Sequence, residues 1–253
     1  MKPTMSDGEK LNHFFETQNL QFDKCLEPLM TCKSKSIKAH SIQNAGTLGL
    51  LERNGHVVMP KQHHSKDGPS IKFKEVGRNL ATTFTGFCAK HDQTIFKPLD
   101  TKPFSAKDSE QLFLLAYRSI CRELHVIMEA AVKMQSSYNW RVDKKLEDGN
   151  TPTPAGIVAT THMMKSWETW KYRNKNYDEP LLKNRFGTIK HSILVLENQN
   201  PTIAVSALFS FASSQYKRQL LRCVLNVFPT SPIQTIVIFS YTSQDAKKVR
   251  KEL

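Results

Sequence analysis

The sequence predicts an α+β chain: an N-terminal module rich in Gly, Lys and His, then a long amphipathic helix, then a C-terminal region of helix plus small sheet. Three observations predict it. Four metal-type side chains form two short pairs early in the chain. Apolar residues recur at helical spacing through the middle, and runs rich in β-branched and aromatic residues fill the last part.

With 253 residues the chain can bury a core and form one large or two small domains. The expected division is 1–104, 105–148 and 157–253, with the Gly- and Pro-bearing stretch 148–156 as the hinge. No apolar run approaches the roughly 20 residues that cross a bilayer, so no membrane association is expected. Five cysteines form an odd set without a small-domain disulfide pattern, which points to a reducing, cytoplasmic setting. The formal net charge of +13 points to a polyanionic partner, because phosphates neutralised by Lys and Arg release counterions. The bland alternative is a solvated basic surface. A protein partner is also compatible, and oligomeric state is not encoded in any pattern here.

Residues 1–23 mix polar side chains with Phe14, Phe15 and Leu20, as expected of a short helical arm. From 25 to 100 the apolar pieces are brief, 48–51 and 57–59 among them, and too sparse for a good core. A bound metal would compensate. Phe113, Ala116, Ile120, Leu124, Ile127, Ala131 and Met134 then recur at steps of three and four, which sets them on one helix face, with Ser105 and Asp108 as a capping-box start. Cys121 lies beside that stripe and is expected to be buried.

Beyond the hinge, 161–173 reads as a helix bearing Trp167 and Trp170. Strands are expected at 192–196, 202–211 and 234–241, with a helix at 215–227. The stretch 243–253 has helix-forming composition with Ser243 as a cap, then stops without a closing residue. That is the pattern of a natural terminus or of an incomplete unit.

The chemistry lies in the first hundred residues. Cys25 and Cys32 are separated by six residues, Cys88 and His91 by two. Zn²⁺ favours four tetrahedral thiolate and imidazole ligands, and a Cys-x-x-His turn presents two at once. Gly86 offers backbone freedom beside the second pair, and Pro28 stiffens the longer first loop. The competing reading is three buried cysteines and a surface histidine.

Between the pairs lies Lys38-Ala39-His40-Ser41-Ile42-Gln43, and Asp92 follows the second pair directly. Two zinc half-sites flanking a central histidine resemble the treble-clef zinc folds and, among them, the HNH nucleases, over about residues 25–97. The stretch also resembles uncharacterised bacterial proteins that share KAHSIQ and GFCxKHD. The HNH resemblance implies His40 as the general base, Asp92 as a ligand of a catalytic Mg²⁺ or Mn²⁺ ion, and Asn54 as the residue that holds the loop, with zinc structural. The chain departs from that pattern at Ala39, where the family carries an acidic metal ligand, so that another group such as His56 or His63 would have to anchor the ion. On the bland reading His40 replaces Cys25 or Cys32 as a zinc ligand, or simply bonds the backbone.

Candidate phosphate contacts are Lys38 and Lys90 beside this site, Arg173 among the interleaved aromatics Trp167, Trp170 and Tyr172, and Lys217 and Arg218. The expected function is zinc-dependent nucleic-acid binding, extending to HNH-like endonuclease activity. The alternative is a non-enzymatic, zinc-stabilised interaction protein of a bacterial defence or mobile-element system.

Overall fold

A computed structural model describes residues 6–65, 68–197, 200–213 and 220–253. Along the chain, α1 (Asp7–Asn19) is followed by β1 (Ile37–His40), a short helical turn α2 (Gly49–Leu51), and β2 (His56–Ser65) with β3 (Gly68–Gly77). Next come β4 (Thr83–Phe87), α3 (Ala89–Thr101), α4 (Ser109–Asp143), α5 (Pro154–Arg173) and α6 (Glu179–Leu182). The chain closes with β5 (Ile189–Glu197), β6 (Val205–Ala212), β7 (Leu220–Ser231), β8 (Gln234–Thr242) and α7 (Ala246–Glu252). Helix and antiparallel sheet are both present, in agreement with the expected mixed class, and no helix among the described residues is long and apolar enough to cross a membrane.

Helix α4 is the axis. Its predicted stripe is buried at Phe113, Ala116, Ile120, Leu124 and Ala131. Between Gln111 and Cys121 nearly every residue is buried, because the helix is wrapped on several sides rather than one. Its cap is Asp108, whose carboxylate accepts from the Glu110 and Gln111 N–H groups at 2.9 and 3.1 Å. The expected Ser105 cap is thus displaced by three residues. Ser105 instead accepts from the Lys107 N–H in the preceding turn.

One core joins Cys25, Leu26, Phe84, Phe87, Cys88 and Phe96 to the α4 residues Phe113, Tyr117 and Ile120, and reaches Val224 of the C-terminal sheet. Helix α5 begins at Pro154, earlier than expected, with Thr153 accepting from the Gly156 N–H. Proline suits that first position, where its missing N–H is not needed. Helix α5 packs along α4.

The C-terminal sheet runs β5-β8-β7-β6, all antiparallel. The helix expected at 215–227 is not found: 214–219 lies outside the described residues, and 220–231 is the strand β7. The reason is burial on both faces. Phe228 packs with Leu112 of α4 on one side, while Leu221 and Cys223 pack with Val249 of α7 on the other. A central strand covered twice carries apolar residues without alternation, and its pattern then resembles that of a buried helix.

Two further pairs of strands set up the N-terminal part. β1 pairs with β4, and β2 pairs with β3 over ten residues each to form a ribbon inserted between them. The ribbon root, Val57, packs with Leu48 and Ala81 in a small separate core.

Candidate metal centre

Cys25 lies on the loop before β1, Cys32 seven residues on, Cys88 at the end of β4, and His91 in the first turn of α3. The chain therefore runs from a cysteine loop, through the β1–β4 hairpin, to a helix start. The Cys25, Cys32 and Cys88 sulfurs and a ring nitrogen of His91 all lie within 4.8 Å of one another. The separation of the two pairs in sequence is closed by the hairpin between them.

The distances suit a tetrahedral ion. Cys32 Sγ is 3.9 Å from Cys88 Sγ, and His91 Nδ1 is 3.4 Å from Cys25 Sγ and 3.3 Å from Cys88 Sγ. Zinc bound at ordinary Zn–S and Zn–N lengths separates its ligands by about 3.8 Å (S to S) and about 3.5 Å (S to N). All three cysteines are free thiols, and 3.9 Å is far too long for a disulfide. Burial pushes the Cys25 thiol up to about 11, so a cation is the natural means of holding a thiolate there.

The six-residue gap of the first pair is organised by Glu27. Its buried carboxylate accepts from the N–H groups of Leu29 (2.8 Å), Thr31 (2.5 Å) and Cys32 (3.1 Å), and from the Thr31 hydroxyl (3.1 Å). Burial alone would raise its pKa, but these donors outweigh that effect and hold it below the usual carboxylate range. Met30 takes a positive φ of 54° in the same loop. Residue patterns did not single out Glu27, because a carboxylate between two cysteines carries no signal until the loop closes on it.

Gly86 has a different reason from the expected one. A Cβ there would sit 2.2 Å from the Phe84 ring, which packs edge-on against Phe87 and His125. The position requires space for a core aromatic rather than an unusual backbone.

His40 ends β1, half-buried, with Nε2 3.3 Å from the Arg78 carbonyl oxygen. A carbonyl only accepts, so in this contact Nε2 is the donor. Asp92 stands close enough to feel His40. Burial raises its pKa, Arg118 and His40 lower it, and Asp100 raises it, with a net rise. Arg118 was not anticipated: almost fully buried on α4, it donates to both oxygens of Asp100 at 3.0 and 2.8 Å and lies 4.2 Å above the Phe96 ring.

Asn54, expected to hold the loop, is an exposed turn residue at φ 51°, followed by Gly55 at φ 78°, and its carbonyl oxygen lies 2.9 Å from His56 Nδ1. Asn-Gly is the pair that such a tight hairpin turn demands. Ala39 is buried opposite Phe84, His56 sits at that turn, and His63 stands out on the ribbon. Among the described residues the only cluster of three or more metal-type ligands is the Cys3His group.

Lys38 and Lys90 are exposed, as phosphate contact requires. Arg173 is not available for it. It is fully buried, with Nε and Nη2 at 3.0 and 2.9 Å from Asp178, whose other oxygen accepts from the Tyr117 hydroxyl at 2.7 Å. Lys217 and Arg218 lie outside the described residues.

No family model, no curated protein and no solved structure matches the chain.

Proposed function

We propose that Cys25, Cys32, Cys88 and His91 hold a structural zinc ion in a treble-clef-like module, and that the chain is a zinc-dependent nucleic-acid-binding protein. The observation that carries this reading is the cluster itself, four ligand atoms within 4.8 Å contributed by a loop and a helix start that the β1–β4 pairing brings together. The order of loop, hairpin and helix supports the treble-clef resemblance. The net charge of +13 supports a polyanionic partner. Zinc here stabilises the fold, and the chain's own lysines make the contacts. Labelled duplex should bind with an affinity that falls steeply with salt and that is lost when zinc is chelated. Binding that is indifferent to chelation would remove the zinc dependence.

A second reading, HNH-like cleavage, is favoured by the contact of His40 Nε2 with the Arg78 carbonyl. With Nε2–H directed at the Arg78 carbonyl, Nδ1 can take a proton from the water whose oxygen attacks a phosphodiester phosphorus, while the P–O bond to the leaving oxygen breaks and that oxygen acquires a proton from solvent. No step is routed through a second ion. On this reading, plasmid incubated with Mg²⁺ or Mn²⁺ is cut, and His40→Ala abolishes the cutting. Plasmid that stays intact, or that His40→Ala still cuts, removes cleavage and leaves binding standing.

A further inference from the structure

The β2–β3 ribbon has two chemically distinct faces. Cross-strand partners share a face, so Met59 with Lys74, Lys61 with Lys72, and His63 with Ser70 line one side. Val58 with Glu75, Pro60 with Phe73, and Gln62 with Ile71 line the other. The first side carries Lys61, Lys72 and Lys74, all exposed and none in an ion pair among the described residues. The described acid of the ribbon, Glu75, points to the opposite side.

This arrangement works against the stability of the ribbon. Lys61 and Lys72 are directly opposed, and like charges in that position destabilise a strand pair. Lys74 adds a third charge on the diagonal. The field is felt locally, since Lys72 first and then burial and Lys74 pull the His63 pKa below its ordinary value. The root of the ribbon is packed through Val57, Met59 and Val76, and nearer its tip His64 meets the Phe14 ring of α1 edge-on at 5.2 Å. The part beyond Met59 extends about 20 Å at ~3.4 Å per residue.

We infer that the β2–β3 ribbon is a DNA-binding arm that lays its Lys61, Lys72 and Lys74 face into the major groove of B-form duplex, an inference that rests on the nucleic-acid-binding reading above. Two strands about 5 Å apart with their side chains fit a groove about 12 Å wide, whereas the major groove of A-form RNA is too deep and narrow to admit them. Three clustered ammonium groups, in no ion pair among the described residues, match the phosphates that line both edges of that groove. Mutual repulsion among the lysines is relieved when they are seated against phosphate.

The test is fluorescence anisotropy of a labelled DNA duplex with the zinc-loaded full chain, over about 50 to 300 mM salt, comparing wild type with Lys61→Gln/Lys72→Gln/Lys74→Gln. Three lost phosphate contacts should flatten the slope of log K against log salt by about 2.7, and affinity at 0.1 M salt should fall by ~100-fold or more. The triple variant should unfold at the same temperature as wild type or higher, since repulsion has been removed. A control with the same charge change elsewhere, Lys144→Gln/Lys145→Gln/Lys165→Gln, should keep the wild-type slope. Wild type that binds while the ribbon variant retains its slope would overturn the arm but leave nucleic-acid binding intact. A loss just as large in the control, or on duplex RNA, would also overturn the arm. Wild type that does not bind at the lowest salt would remove both readings together.

Discussion

Glu27 shows how one side chain can set a metal centre without touching the metal. Four donors converge on its carboxylate, and one is the N–H of Cys32 itself, so the thiol is aimed by the carboxylate. Glu27→Ala should leave those donors unpaired in a loop that already holds Met30 at positive φ. Zinc affinity should fall by about 10- to 100-fold, as measured by competition with a chromogenic chelator. An unchanged affinity would mean that the loop is held by other contacts. The ligands themselves were legible in the sequence because Cys and His at short spacing declare their chemistry. Glu27 was not, since its role arises only when Leu29, Thr31 and Cys32 fold around it. Arg173 misled for the complementary reason: in sequence it is a cation among aromatics, and only the packing of α5 against α4 shows that Asp178 neutralises it in the core.

At the scale of elements, the long helix and three of the strands were legible, because the α4 stripe and the β-branched runs follow single periods. β7 was not, because coverage by α4 on one face and α7 on the other erases its alternation. The β2–β3 ribbon escaped for the opposite reason. Its alternation sets lysine against apolar side chains, and most of its residues are exposed. Pairing of β5 with β8 has a pH signature. His191 Nδ1 meets the Ser240 hydroxyl at 2.9 Å, Nε2 is buried without a partner among the described residues, and burial pulls the pKa down to about 4. The unfolded chain titrates this group near 6.5, so between pH 6.5 and 4 it binds a proton that the folded chain refuses. Stability is therefore fully present above 6.5 and lost as pH falls toward 4, by about 2–3 kcal/mol at pH 4.5. His191→Gln should remove that share of the loss in urea unfolding compared at pH 7 and 4.5. An identical pH dependence in the variant would contradict the assignment.

Over the whole molecule, α4 ties the part that holds the Cys3His cluster to the C-terminal sheet, with Phe113 and Tyr117 in the core shared with Cys25 and Cys88, and Leu112 in the core beneath β7 and β8. Ser119 extends the tie by donating to the Asn226 side chain at 3.0 Å and accepting from Ser206 at 2.8 Å. Loosening of the metal cluster should accordingly be felt through this helix rather than stay local. The cluster joins a loop to a helix start that are distant in sequence, so ligation is expected to supply part of the folding free energy of this part. Elemental analysis of the purified chain tests this account most directly. It should find about one zinc per chain in the wild type and a marked loss in Cys88→Ser. A wild type free of bound metal, or a Cys88→Ser variant that keeps the full complement, would contradict it.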